Sequence, residues 1–101
     1  YQALYDYDAD LVLVGHAHNY ERFAPQTPAG ARDDARGIRQ FVVGTGGAEV
    51  VGFTTPKANS EVRSTGTFGV LQLTLGTGAY AWSFRPVAGK TFTDTGRTAC
   101  H

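Results

Sequence analysis

The chain is poor in several residue types, and each scarcity excludes a class of protein. Its 101 residues include no methionine, one cysteine and three histidines, and nine basic side chains balance nine acidic ones. Because the net charge is zero and no basic run occurs, we expect neither nucleic acid nor a membrane surface as partner. No apolar stretch approaches the ~20 residues of a transmembrane helix. The length corresponds to one domain or less.

The single cysteine, Cys100, has no second cysteine with which to form an internal disulfide. We expect a secreted or extracytoplasmic protein, in which the disulfide partner of Cys100 lies upstream of this sequence. In a cytosolic protein, Cys100 would instead be a spare thiol. Residues 1–4 do not resemble the start of a translated product, so we interpret residues 1–101 as a single segment of a longer polypeptide.

The most informative stretch joins an apolar run to a pair of histidines. Residues 11–14, Leu-Val-Leu-Val, predict a short buried strand of the parallel kind. Gly15 follows, and His16 and His18 then flank Ala17. In extended backbone, residues two apart point to the same side, so both imidazoles can reach one polar centre at the end of the strand. Imidazole is the commonest side-chain metal ligand, and the pair is therefore a candidate metal site.

The residues after the histidines extend this motif and carry a family resemblance. Residues 15–22, Gly-His-Ala-His-Asn-Tyr-Glu-Arg, resemble the GHxH motif that comes last in the calcineurin-like metallophosphoesterases. The trailing Tyr-Glu-Arg resembles the purple acid phosphatase branch in particular. In that family the first histidine of GHxH binds one metal ion and the second binds its neighbour. The resemblance therefore implies that His16 and His18 are ligands to two metal ions, with iron, zinc and manganese all suited to such a site.

The same resemblance implies an activity and an incomplete site. It implies a metal-dependent phosphoric ester hydrolase of the acid phosphatase type, whose nucleophile is metal-bound water or hydroxide rather than a side chain. The family's DxH, GDxxD and GNH motifs precede GHxH and are absent here. Residues 1–101 are therefore expected to be the C-terminal portion of the catalytic domain, inactive alone. Their expected partners are a phosphate ester and the remainder of the domain, or another chain.

Two residues beyond the histidines are candidates for roles around the metal ions or the substrate. The planar guanidinium of Arg22 suits a phosphate, whereas a salt bridge that fixes the loop is the alternative. Tyr20 can hydrogen-bond a group that supports a ligand, or simply pack its ring.

Two other functions stay open. A cupin-like metal-binding barrel also uses a histidine pair followed by a glutamate, although Glu21 comes one residue too early for that spacing. In a non-catalytic β-rich structural or binding module, the histidine spacing would be accidental and no metal would bind.

The clearest secondary structure is a predicted β-hairpin. Residues 68–75 and 79–85 both alternate apolar with small or polar residues, and residues 76–78 join them. If Leu75 pairs with Tyr80, six large apolar side chains share one face, whereas a shift by one residue would separate the leucines from the aromatics. We predict the first register.

The whole sequence predicts a strand-rich α/β or α+β mixed fold, and the resemblance implies a two-sheet sandwich flanked by helices. Because the buried strands need neighbours, we also expect an exposed apolar face or contacts with another chain. The sequence also predicts a helix end at residues 1–7, a loop at 24–37 and a strand at 41–43 beside the first strand. A tight turn with close backbone approach is predicted at 44–47, followed by a mostly irregular segment at 49–66 in which Glu61 and Arg63 are solvated. Near the end of the chain we predict a short strand at 91–93 and a disordered His101.

Overall fold

The structure, a computed structural model, describes residues 1–49, 52–53 and 55–101, and its strands form two sheets. In chain order the elements are α1 (Gln2–Asp6), β1 (Leu11–Val14), β2 (Tyr20–Phe23), β3 (Arg39–Val43), β4 (Ser60–Ser64), β5 (Gly69–Gly76), β6 (Ala79–Pro86) and β7 (Thr95–Ala99). One sheet has the strand order β1-β3-β2-β4, and the other has the order β5-β6-β7. The fold is therefore mixed and strand-rich, as predicted.

Helices contribute little to this fold. The predicted helix end at residues 1–7 is α1, but the expectation of helices flanking the sheets is wrong for the residues that the structure describes. The physical reason is composition, because ten of the thirteen glycines and three of the four prolines lie outside the strands, and both residues disfavour helix interiors. Within the described ranges, no helix has the length and apolar character needed to cross a membrane.

The two short apolar runs pair as predicted but are not equally buried. β1 and β3 are parallel neighbours over all four residues of β1. β1 lies at the edge of its sheet, and Leu13 and Val14 are 50% and 37% exposed. The prediction that β1 is a buried strand is therefore wrong for this chain, because a parallel strand is buried only when both of its faces are covered.

The hairpin has the predicted register. Leu75 pairs with Tyr80, and the two strands remain in step along their whole length, so the large side chains share one face. That face is unevenly buried, because Phe84 is 1% exposed whereas Leu75 is 73% exposed. β5 and β6 are joined by a two-residue turn at Thr77 and Gly78.

Aromatic side chains from both sheets form the core. Tyr20 of β2 packs on Phe84 of β6, with ring centroids 4.9 Å apart, and Phe41 of β3 meets Trp82 of β6 edge-on at 5.4 Å. On β7, Gly96 pairs with Trp82, and a Cβ atom at Gly96 would overlap the indole ring. The sheets are therefore held together where the central strands β2, β3 and β6 face each other.

β4 lies in the segment predicted to be mostly irregular, residues 49–66, of which 50, 51 and 54 lie outside the described residues. It pairs antiparallel with β2 at the second edge of the sheet. Its sequence, Ser-Glu-Val-Arg-Ser, has one apolar residue, so no alternation marks it as a strand. Arg63 is exposed as predicted. Glu61 is exposed as predicted, and its carboxylate also contacts two arginines.

The strand predicted at residues 91–93 is also wrong, since β7 begins at Thr95. Phe92 inserts its ring into the core, with centroids 5.6 Å from Tyr20 and 5.3 Å from Phe84. The aromatic residue that suggested a strand thus packs from a loop.

The end of the chain is attached to the first sheet. His101, predicted to be disordered, donates its backbone N–H to the Asp10 carboxylate at 2.8 Å. Its ring nitrogen Nε2 lies 3.2 Å from the carbonyl oxygen of Gly37. Cys100 has a free thiol as far as the described ranges extend. Burial and the charge of Asp10 raise the pKa of this thiol, which is the opposite of what a reactive cysteine requires.

An apolar groove of about 450 Å³ lies between the edges of the two sheets. It lies where the edge strands β1 and β5 approach each other, and Leu13, Val14, Val70 and Leu71 line it. Val70 is 62% exposed. Exposed apolar side chains therefore lie along this groove.

The uneven burial of the hairpin face can be tested with two alanine variants. Phe84→Ala should lower the free energy of unfolding by about 3–5 kcal/mol, because it leaves a cavity in the core. Leu75→Ala, on the same face, should change it by less than about 0.5 kcal/mol. Urea unfolding followed by the fluorescence of Trp82, the single tryptophan, measures both. Equal losses would contradict this description of the core.

Candidate metal centre

The two candidate metal ligands lie in a short bent loop, residues 15–19, between β1 and β2. The N–H of Ala17 donates to the carbonyl of Gly15 at 2.9 Å, and the N–H of Asn19 donates to that of Ala17 at 2.8 Å. Each histidine is therefore the central residue of a three-residue, hydrogen-bonded turn. The backbone is not extended here, so the prediction of an extended backbone through the two histidines is wrong.

His16 has an uncommon backbone conformation. Its φ is +71°, one of three positive values at non-glycine residues among those described. A three-residue turn with φ near +75° at its centre is the rare and strained form of the γ-turn. Such conformations cost roughly 1–3 kcal/mol and cluster at active sites and ligand clamps. The His16 side chain is exposed at the end of the parallel strand β1.

His18 has a defined hydrogen-bond partner. Its ring nitrogen Nδ1 lies 2.7 Å from the carbonyl oxygen of Glu49. Because a carbonyl only accepts, the neutral ring carries its proton on Nδ1 and has its lone pair on Nε2. Histidines that bind metals usually donate their other ring N–H to a carboxylate or a backbone carbonyl in this way. His18 is therefore oriented as a metal ligand would be.

The glycine-rich turn after β3 packs against the histidine loop. The N–H of Gly44 donates to the carbonyl of Asn19 at 2.9 Å. A Cβ atom at Gly44 would overlap the carbonyl oxygen of Ala17 and lie 3.0 Å from the Cα of His18. The prediction of a turn in which two backbones approach closely is therefore confirmed at Gly44.

A cleft of about 350 Å³ opens beside His16. Asn19, Glu21 and Lys57 also line it. Glu21, the carboxylate of the cupin alternative, is 7% exposed and accepts a hydrogen bond from the Ser60 hydroxyl at 2.5 Å. Lys57 is the basic residue of this lining.

The chain does not complete a metal site within its described part. No cluster of three or more histidine, cysteine, aspartate or glutamate side chains that could hold a metal ion occurs there. Catalytic zinc sites use about three protein ligands and structural ones about four. Further ligands to a metal at His16 and His18 would have to come from elsewhere.

Tyr20 and Arg22 take part in a buried network around Asp94. The Tyr20 hydroxyl donates to Asp94 Oδ2 at 2.7 Å. Arg22 Nε donates to the same oxygen at 2.8 Å, and Arg22 Nη2 donates to Oδ1 at 3.3 Å. Burial and the Asp94 carboxylate raise the pKa of the Tyr20 hydroxyl. These contacts are the ones expected if Arg22 forms a salt bridge that fixes the loop and Tyr20 packs its ring, rather than if either residue contacts a ligand.

Glu61 extends the network to a second arginine. Arg22 Nη1 and Arg39 Nη1 donate to Glu61 Oε1 at 2.6 and 2.7 Å. The two guanidinium carbons lie 5.1 and 5.0 Å from the centre of the Trp82 ring. Both arginines therefore bind an acid and an aromatic ring of the core.

Four residues of this region were not singled out as functional from the sequence. Glu49 acts through its backbone carbonyl, and no sequence pattern identifies such a contact. Asp94 and Glu61 are lone acids far along the chain from the arginines they bind. Of these four residues, Gly44 is the one that the sequence could have identified, because it begins a glycine-rich turn directly after a strand.

Comparisons of the chain with protein-family models, with curated proteins and with solved structures gave no match. The likeness to the metallophosphoesterases therefore rests on the motif at residues 15–22.

The Asp94 network predicts a large loss of stability when its centre is removed. Asp94→Ala should lower the free energy of unfolding by about 3–5 kcal/mol, because Arg22 and the Tyr20 hydroxyl lose their buried acceptor. Asp34→Ala is the control, because Asp34 forms a salt bridge with Arg32 in which the Asp34 side chain is 65% exposed and the Arg32 side chain 56%. That change should cost about 0–1 kcal/mol.

Urea unfolding of both variants measures the difference. If Asp94→Ala does not fold, Tyr20→Phe provides a milder test, with an expected loss of about 1–3 kcal/mol because one buried hydrogen bond is removed. A loss for Tyr20→Phe no larger than that for Asp34→Ala would contradict the assignment of this network as structural.

Proposed function

We propose that the chain is the C-terminal segment of a calcineurin-like metallophosphoesterase domain of the purple acid phosphatase-like branch. In this proposal His16 and His18 are ligands to a two-metal site that hydrolyses phosphate esters. The observation that carries the proposal is the hydrogen bond between His18 Nδ1 and the Glu49 carbonyl, 2.7 Å long, within a GHxH loop that leaves a parallel strand.

The state of the His18 ring supports metal binding. A proton fixed on Nδ1 leaves Nε2 with its lone pair, which is what a metal ion needs from an imidazole. The positive φ of His16 is a second supporting observation, since backbone strain is typical of ligand sites.

The position of the loop in the sheet also supports the proposal. β1 and β3 are parallel, so their carboxyl ends lie at the same edge of the sheet. The histidine loop and the glycine-rich turn leave the sheet there. In open α/β sheets, ligands bind in the crevice beyond these ends.

Each part of the chain has a separate task in this proposal. Two bound metal ions would polarise the phosphoryl oxygens and lower the pKa of water. His16 and His18 hold the metals, and the cleft beside His16, with Lys57 in its lining, receives the phosphate ester. The carboxylate, amide and further histidine ligands come from residues outside this chain. Alone, the chain is therefore inactive.

The main alternative is a non-catalytic β-rich structural or binding module. The buried contacts of Tyr20 and Arg22 favour this alternative, because they give these two residues of the motif a structural role. A cupin-like barrel is less favoured, because the sheets are separate and β1 pairs in parallel with β3. In a structural module neither histidine binds metal.

Metal analysis of the complete polypeptide that contains these residues separates the two functions. His16→Ala and His18→Ala should each lose roughly one metal ion, and hydrolysis of p-nitrophenyl phosphate should fall by about 100-fold or more. His101→Ala, which alters the third histidine at the far end of β1, should retain both metal ions and activity. If all three variants have the same metal content and activity as the wild type, the metallophosphoesterase proposal is contradicted and the structural module is favoured.

A further inference from the structure

The histidine loop and the turn after β3 touch through their backbones. A Cβ atom at Gly44 would lie 2.7 Å from the carbonyl carbon of Ala17 and 3.0 Å from the Cα of His18. Real Cβ atoms essentially never come closer than 3.0 Å to such atoms, and backbone cannot rotate away as a side chain can. Any side chain at position 44 must therefore move this turn and the histidine loop apart.

The other glycines of the same turn lack this constraint. A Cβ atom at Gly46 would meet no atom within 4 Å, and Gly46 has no positive φ. Gly47 also has open space around it, although its φ of +134° favours glycine. The close approach is thus specific to Gly44, and Gly46 provides a matched control.

The turn also has a fixed attachment to the second sheet. Thr45 is 1% exposed, and its hydroxyl donates to the carbonyl of Gly69 at 2.9 Å. The N–H of Gly69 donates back to the carbonyl of Thr45 at 3.0 Å. Gly69 begins β5, so the turn is held by the second sheet one residue after it contacts the histidine loop.

The turn then leads to the group that orients His18. Glu49 lies five positions after Gly44, and its carbonyl accepts the Nδ1 proton of His18 at 2.7 Å. The second sheet is therefore connected to the His18 ring through Thr45, Gly44 and the Glu49 carbonyl. Displacing the loop at Gly44 would pull His18 Nδ1 away from this carbonyl.

We infer that Gly44 is a positioning residue for His18, because its missing side chain lets the two loops close until the Glu49 carbonyl fixes the ring with Nε2 available. The inference that Nε2 is the metal-binding atom rests on the proposed function. The inference that Gly44 controls the tautomer of His18 does not.

The test compares Gly44→Ala with Gly46→Ala in the complete polypeptide. The first readout is the tautomer of His18 in the metal-free protein, from proton–nitrogen correlation spectra of the imidazole rings at about pH 8.5, where imidazoles are neutral. The second is the affinity for Co²⁺, titrated by its visible absorption. The third is the urea midpoint, which reports stability alone.

We expect wild type and Gly46→Ala to carry the His18 proton on Nδ1 and to bind Co²⁺ with equal affinity. Gly44→Ala should give a mixture of tautomers and an affinity about 10–100-fold lower, the size of effect typical for groups that orient a metal ligand. If Gly44→Ala does not fold, Thr45→Val, which removes the hydroxyl bond to Gly69, should shift the His18 signals in the same direction by less.

The outcomes separate this inference from the proposed function. A lower urea midpoint with the wild-type tautomer and Co²⁺ affinity would make Gly44 merely structural and would overturn the inference. If the wild type binds no Co²⁺ but Gly44→Ala still scrambles the tautomer, the positioning role stands and the proposed metal site fails.

Discussion

The carboxylate of Asp94 holds the two sheets together at the place where the histidine loop ends. It accepts hydrogen bonds from the Tyr20 hydroxyl at 2.7 Å and from Arg22 Nε at 2.8 Å, and it is 8% exposed. Tyr20 is the first residue of β2, directly after the loop, and its ring packs in the aromatic core. A buried charge that lost these partners would be strongly destabilising, so the position of Tyr20 is strictly defined. The end of the loop is therefore fixed by the same contacts that join the sheets.

The beginning and the side of the loop are fixed as well, and this explains how a strained residue can persist there. β1, which pairs in parallel with β3, ends directly before the loop that contains His16, and the turn after β3 contacts this loop at Gly44. Strained conformations survive only where the surrounding structure over-determines them. His16 meets this condition, and His18 is further oriented by the Glu49 carbonyl. The loop is thus preorganised on its own side, and in the proposed metal site the remaining ligands would approach along the exposed edge of β1.

Local patterns in the sequence predict only part of this arrangement. The hairpin register follows from period-two alternation, and the parallel pair follows from two short apolar runs, because both are properties of neighbouring residues. Asp94 and Arg22 are 72 positions apart, and nothing near either residue marks the pair. The extended backbone assumed for the histidines failed because two consecutive turns replace it, and residue spacing does not report a positive φ such as that of His16. The motif predicts the metal-ligand types, whereas the contacts that orient them come from the tertiary fold.

The most direct test of the central claim is anomalous X-ray diffraction from crystals of the complete polypeptide with its metals. The account predicts two anomalous peaks about 3.5–4 Å apart at the end of β1. One peak should lie about 2.0–2.2 Å from a ring nitrogen of His16, and the other should lie at the same distance from Nε2 of His18. A crystal of fully active protein with no peak beside this loop, or with a peak on Nδ1 of His18, would contradict the account.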